Sequence, residues 1–139
     1  MKPSHSYLSQ IFYDQTDATG VMYHANYITL FERARTNWFQ VLGISQEKMK
    51  NELGVCFTIA SLEVKYYRPA KLDDEVIVTV ILERARKASM EFSQTMVYAR
   101  EPDVTLAALT VRAGCVDMAK FRPCAMPDEV LKLLELYVR

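Results

Sequence analysis

Between residues 25 and 42 the apolar side chains Tyr27, Phe31, Ala34, Trp38 and Leu42 recur at steps of four, three, four and four, the spacing that lines one face of an α-helix. Gly43 follows as a stop. Ile28, Leu30, Phe39 and Val41 widen the apolar surface beyond one stripe, which suits a helix wrapped by a sheet rather than one lying on an exterior. A short second helix is predicted over 45–53, with Ser45 as N-cap and Gly54 after it. A last helix is predicted over 128–137, with Asp128 and Glu129 at its positive end and Val130, Leu133, Leu134 and Tyr137 on its apolar side.

The remaining periodicity is that of strands. The first is predicted over 7–13, punctuated by the polar run Asp14-Gln15-Thr16-Asp17 and then Gly20. Four longer ones, 55–68, 75–86, 89–100 and 105–118, are rich in Val, Ile, Thr, Tyr and Phe, with breaks at 69–74, 87–88 and 101–103. Connections that short make the last three an antiparallel meander, because a parallel pair needs a crossover of a dozen or more residues. In 76–82 both alternating faces are apolar, and one helix covers only one of them. An open apolar face of that size marks a subunit interface, so a homo-oligomer is expected.

Composition adds bounds. A chain of 139 residues, half hydrophobic and 24% charged, suits one globular domain spanning 1–139. Lys plus Arg equals Asp plus Glu at 17 each, so no net field draws in nucleic acid or an anionic membrane, and any anion must be captured locally. Residues 1–5 lack the apolar run of a leader and no stretch is long and apolar enough for a membrane span, so a soluble, cytoplasmic protein is expected. Cys56, Cys115 and Cys124 form an odd, unclustered set without C-x-x-C spacing; they read as buried free thiols rather than a disulfide framework or a metal site.

The stretch with chemical content is 13–27, YDQTDATGVMYHANY. It is a carboxylate-bearing loop that runs through Gly20 into the start of the apolar helix. The first turn of a helix leaves backbone N–H groups unpaired, and the macrodipole adds roughly half a positive charge there, so a polarised carbonyl oxygen can be held at that point. Asp17 precedes His24 by seven residues, enough loop to fold the carboxylate back toward the helix end. Gly20 supplies backbone freedom for the turn and room for close approach of a substrate.

The pattern Asp17-x-x-Gly20-x-x-x-His24-x-Asn26-Tyr27, followed by Phe31-Glu32-Arg33-Ala34-Arg35, resembles the signature of hot-dog thioesterases of the 4-hydroxybenzoyl-CoA thioesterase class, most closely the YbgC type. The likeness continues through 64–75, reading VKYYRPAKLDDE, into Arg86-x-Ala88-Ser89, and ends near Pro123, covering nearly the whole chain. It implies an α+β hot-dog fold, five or six antiparallel strands wrapped round one long helix, assembled as dimers or tetramers with active sites at the dimer interface. It also implies that the carboxylate at Asp17 is catalytic and that the His24 backbone N–H polarises the thioester carbonyl, with Tyr13 and the His24 side chain near the site. Thr19 stands where the YbgC type commonly has a second glycine, a departure that bears on loop shape and acyl preference.

Each of these residues also has a plainer explanation. An Asp before a Gly is commonly a turn residue; the helix context and the extended match single out Asp17. His24 is either a proton shuttle or a packing residue at a helix start. Tyr13 at a strand end reads as packing, Asn26 as a brace of the loop, and Glu32 as half of an ion pair with Arg35 three residues on. Gly20, Tyr23, Asn26, Arg68 and Arg86 are assigned to substrate binding; with Lys65, Arg84 and Lys87, the two arginines are candidates for the coenzyme A phosphates, and solvated strand ends explain these basic residues equally well. No G-x-S-x-G elbow and no Cys–His arrangement offers another nucleophile.

The expected activity is hydrolysis of an acyl-CoA thioester without metal or organic cofactor, coenzyme A being part of the substrate. Asp17 serves as nucleophile or as general base, staying ionised although partial burial raises its pKa modestly. The alternatives are a non-catalytic binder of acyl thioesters or of an acyl carrier protein, and a hot-dog dehydratase.

Overall fold

The computed structural model describes residues 3–139, so Met1 and Lys2, part of the stretch read as lacking a leader, lie outside the described residues. Strand β1 (His5–Gln10) leads through a 3-10 turn (Tyr13–Gln15) and a loop to the long helix α1 (His24–Leu42). A short helix α2 (Gln46–Lys48) continues as a π turn (Met49–Leu53), then come β2 (Val55–Tyr66), β3 (Glu75–Ala85), β4 (Ser89–Tyr98) and β5 (Thr105–Asp117). A two-residue strand β6 (Arg122–Pro123) and helix α3 (Asp128–Glu135) close the chain. The strands form one antiparallel sheet in the order β1-β3-β4-β5-β2, with β6 on β5, so the meander expected of β3, β4 and β5 is present.

The predicted α1 stripe is the one that is buried. Tyr27, Phe31, Ala34 and Trp38 are inaccessible or nearly so, and with Leu30 and Phe39 they share a core with Val76, Val78, Val80 and Leu82 of β3, Phe92 and Met96 of β4, and Leu109 and Val111 of β5. Each Val, Leu, Phe or Met side chain so withdrawn from water contributes about 1.5–3 kcal/mol. Gly43 ends α1 at φ 81°, a left-handed turn that an L side chain adopts only with strain. Ser45 caps α2 by accepting from the Lys48 N–H at 3.2 Å.

Two predicted elements end differently. β1 stops at Gln10 because buried Ile11 turns to the 69–74 connection, donating to the Asp74 carbonyl at 2.8 Å and accepting from the Asp73 N–H at 3.1 Å. Tyr13 therefore lies on the 3-10 turn, not at a strand end. Helix α3 gives out at Glu135, and Tyr137 beyond it places its ring edge-on against Trp38 with centroids 5.7 Å apart. The cysteines also depart from expectation, since β6 brings Cys124 opposite Cys115 with their sulfurs 3.7 Å apart. Only Cys115 is buried, and burial together with the neighbouring Cys124 thiol pushes its pKa up to about 12.

The buried hydroxyl of Tyr27 ties the helix to the 69–74 connection, accepting from the Ala70 N–H at 2.8 Å. Tyr27→Phe strands that N–H in the core and is expected to cost about 1–3 kcal/mol. Equilibrium urea unfolding checks it: the midpoint falls while the denaturant slope holds.

Candidate active site

Gln15 anchors the site loop. The residue is buried, its side-chain oxygen accepts from the Phe12 N–H at 2.8 Å, and its carbonyl accepts from the Tyr23 N–H at 3.0 Å and the Asn26 Nδ2 at 2.8 Å. Between these points the chain doubles back: Thr16 bridges to Met22, the Asp17 N–H donates to the Val21 carbonyl at 2.9 Å, and the Gly20 N–H donates to the Asp17 carbonyl at 3.1 Å. The turn passes through Gly20 at φ 81°, where the lack of a Cβ is needed. A second seam joins it to the 69–74 connection, from Met22 N–H to the Ala70 carbonyl at 2.8 Å and from Leu72 N–H to the Gly20 carbonyl at 2.9 Å. Tyr23 then stands at the N-cap position of α1, whose first residue is His24, without a side-chain cap bond.

This is a hydrogen-bonded hairpin set against the segment that enters the helix, and it carries Asp17. The carboxylate is exposed, and its Oδ1 accepts from the Thr19 hydroxyl at 2.5 Å and the Thr19 N–H at 2.8 Å. These bonds, the hydroxyl first and then the amide, hold its pKa below the ordinary aspartate value, with the Val21 main chain assisting. The expected modest rise from partial burial is thus overturned, because the group keeps its water and gains donors. Thr19, the departure from the family pattern, supplies the principal donor.

A depressed folded-state pKa means that the ionised form, and any stability tied to it, is present above the unfolded value and lost as pH falls through the folded one. Thr19→Val deletes the hydroxyl donor while keeping the amide, so the acid limb of a kcat/KM profile that depends on Asp17 is expected to move to higher pH. The wild-type limb is expected below the ordinary aspartate range.

The other candidates divide. The His24 carbonyl accepts from the Tyr66 hydroxyl at 3.2 Å, and the His24 ring meets the Tyr66 ring edge-on at 5.1 Å and the Tyr23 ring at 6.1 Å. Asn26 braces the Gln15 carbonyl, the structural role the sequence suggested. Tyr13 is exposed, and it is its carbonyl that joins the loop, accepting from the Thr16 hydroxyl at 2.8 Å. Arg68, two residues beyond β2, lies at the Tyr66 end of that strand, while Arg86 follows β3 at the end opposite Glu75. Glu75 adjoins the site-side connection, and the length of β3 separates Arg86 from it by roughly 33 Å, so one protomer does not bring the two arginines together. The Glu32–Arg35 ion pair is not among the ion pairs of the described residues; Arg35 instead turns inward to Gln94. Tyr66 lies inside the 64–75 motif, but a strand tyrosine reads as packing and by itself gives no signal of a site.

An antiparallel sheet whose apolar face holds one long central helix, with a clamped acidic hairpin at the start of that helix, is the hot-dog fold of thioester-processing enzymes. A 1,4-dihydroxy-2-naphthoyl-CoA thioesterase from Synechocystis has the same fold, with a TM-score of 0.87 over 94% of both chains at 15% identity. A Staphylococcus aureus protein solved in complex with CoA also superposes at 0.87, over 96% of this chain and 82% of its own at 16% identity. Residues 12–134 match the thioesterase-like superfamily. The acyl-CoA thioesterase YbgC of Haemophilus influenzae is 35% identical over 125 residues, 90% of each chain. The chain belongs to the thioesterase-like superfamily and is a thioester hydrolase of the YbgC kind. Among the described residues no helix is long and apolar enough to cross a membrane.

Proposed function

We propose that this protein hydrolyses an acyl-CoA thioester, with Asp17 as the group that attacks the carbonyl or activates the attacking water. The observation that carries this reading is the clamped hairpin: it presents a carboxylate whose pKa the Thr19 donors hold below the ordinary aspartate value, beside a chain segment that leads directly into the first turn of α1. Unpaired amides at that turn, His24 foremost, would donate to the thioester oxygen as negative charge develops on it. Water supplies the oxygen of the acid, and the thiol of coenzyme A leaves with the proton. The relatives' activity toward acyl-CoA and the CoA complex of a structural neighbour support the substrate class.

Asp17 is open to solvent in a single protomer, so the reading includes a homo-oligomer, dimer or tetramer, in which a second copy walls the site. The edge strand β2 favours this assembly: Ile59, Leu62 and Tyr66 are 46%, 42% and 42% exposed on a strand with one side unpaired. An acyl carrier protein is an alternative donor of the same thioester. The experiment is a panel of acyl-CoA and acyl-carrier-protein thioesters assayed for thiol release alongside light scattering. Catalysed release by an oligomer is expected; no release from any member would sink the reading.

A further inference from the structure

Arg35 is 8% exposed, and no other Lys, Arg, Asp or Glu is buried among the described residues. Its Nη1 donates to the Gln94 side-chain oxygen at 2.7 Å, and Gln94 in turn donates to the Phe31 carbonyl at 3.0 Å. No carboxylate of the described residues lies within 4.0 Å of the guanidinium. A guanidinium has five N–H donors, and a buried cation without an anion is unfavourable unless something else supplies the charge. Burial accordingly lowers the Arg35 pKa, with Glu32 opposing through space.

Arg35 borders a cavity of about 110 Å3 shared with Phe39 of α1, Phe57 of β2, and Met90 and Phe92 of β4. Glu32 also borders it but is exposed, and its carboxylate acts on Arg35 only from beyond 4.0 Å. The cavity and the site lie on the same side of α1. His24, Ile28, Glu32, Arg35 and Phe39 follow at helical spacing along one stripe of α1. Strand β2 runs beside that stripe, tied at one end by the Tyr66 hydroxyl to His24 and meeting Phe39 at the other through Phe57, with ring centroids 5.9 Å apart. Along the helix axis His24 and Arg35 are roughly 16 Å apart, and helical side chains lean toward the amino terminus, which shortens the gap.

We propose that the acyl group lies along this stripe of α1 and ends in a carboxylate held by Arg35, so that the substrate is the thioester of a medium-length dicarboxylic acid. The inference rests on the reading that the thioester is cleaved at the Asp17 hairpin. A plain alkyl chain would seal the guanidinium from water with no counter-charge. A terminal carboxylate matches the planar donor fork in geometry and sign. Hydrolysis then gives coenzyme A and a free dicarboxylic acid, with no redox step.

The test compares two series of CoA thioesters matched in length, succinyl to sebacyl against butyryl to decanoyl, in kcat/KM. At the best length the carboxylate is expected to be favoured by about 10- to 100-fold, the scale of one charge-assisted hydrogen-bonded contact. Arg35→Met is expected to erase that ratio and Arg35→Lys to keep part of it; a merely structural role would leave the ratio in place. If Arg35→Met does not fold, the wild-type ratio still decides. A preference for the alkyl series at every length overturns the proposal, as does an unchanged ratio in a folded Arg35→Met. So does dissociation of an oligomer by Arg35→Met with the ratio intact, which assigns the missing anion to a second copy of the chain. Turnover of both series without preference removes this inference alone, whereas silence toward both removes the thioesterase reading as well.

Discussion

Asp17→Asn is expected to lower kcat/KM for acyl-CoA hydrolysis by about a thousandfold or more, while binding of a non-hydrolysable acyl-CoA thioether persists. The magnitude follows from the role: a positioned general base contributes about 10²–10⁴, and loss of a nucleophile removes the covalent route altogether. Asn keeps the shape, and its amide oxygen can still accept the two Thr19 bonds, so the hairpin should survive. The carboxylate is exposed, and no packing is lost with its charge. Thermal unfolding should therefore coincide with wild type, separating lost chemistry from lost structure. Full activity in Asp17→Asn would falsify the assignment. Loss of turnover with retained binding also distinguishes an enzyme from a passive thioester carrier, since a carrier has no turnover to lose.

How much of this was legible in the sequence depends on whether the information was local. The α1 stripe, its Gly43 stop, the Ser45 cap and the β3-β4-β5 meander are all written in spacing and short connections, and all are present. The Asp17 loop was legible through its motif, but its electrostatics were not. Whether Asp17 is desolvated or solvated depends on Thr19 folding back two residues and on what covers the hairpin. Helical spacing suggested that Arg35 pairs with Glu32 three residues earlier; the fold offered it Gln94, fifty-nine residues away, and turned it inward. The proximity of Cys115 and Cys124 was likewise hidden, because β6 is only two residues long and carries no strand periodicity of its own. Sheet order placed Arg86 at the far end from Arg68, which no pattern within either segment could reveal.

The largest loss of stability is expected at Trp38. Its indole is 1% exposed and is the hub where helix, sheet and carboxy terminus meet: edge-on to Phe92 of β4 at 6.3 Å, edge-on to Tyr137 at 5.7 Å, and tilted against Phe39 at 5.9 Å. Truncation removes transfer energy and leaves a void bordered by rings that cannot all collapse into it, so Trp38→Ala is expected to cost about 3–5 kcal/mol. For a chain of this size that is a fall of roughly 10–20 °C in Tm. Because Trp38 is the sole tryptophan, unfolding must be followed by circular dichroism rather than indole fluorescence. Trp38→Phe retains an edge for Phe92 and should recover a large part of the loss. Equal damage from both would mean that the indole's shape, not its buried area, organises this end of the core. Since Trp38 lies fourteen residues along α1 from His24, a folded Trp38→Phe should keep its acyl-CoA hydrolysis, which makes it the stability control for Asp17→Asn.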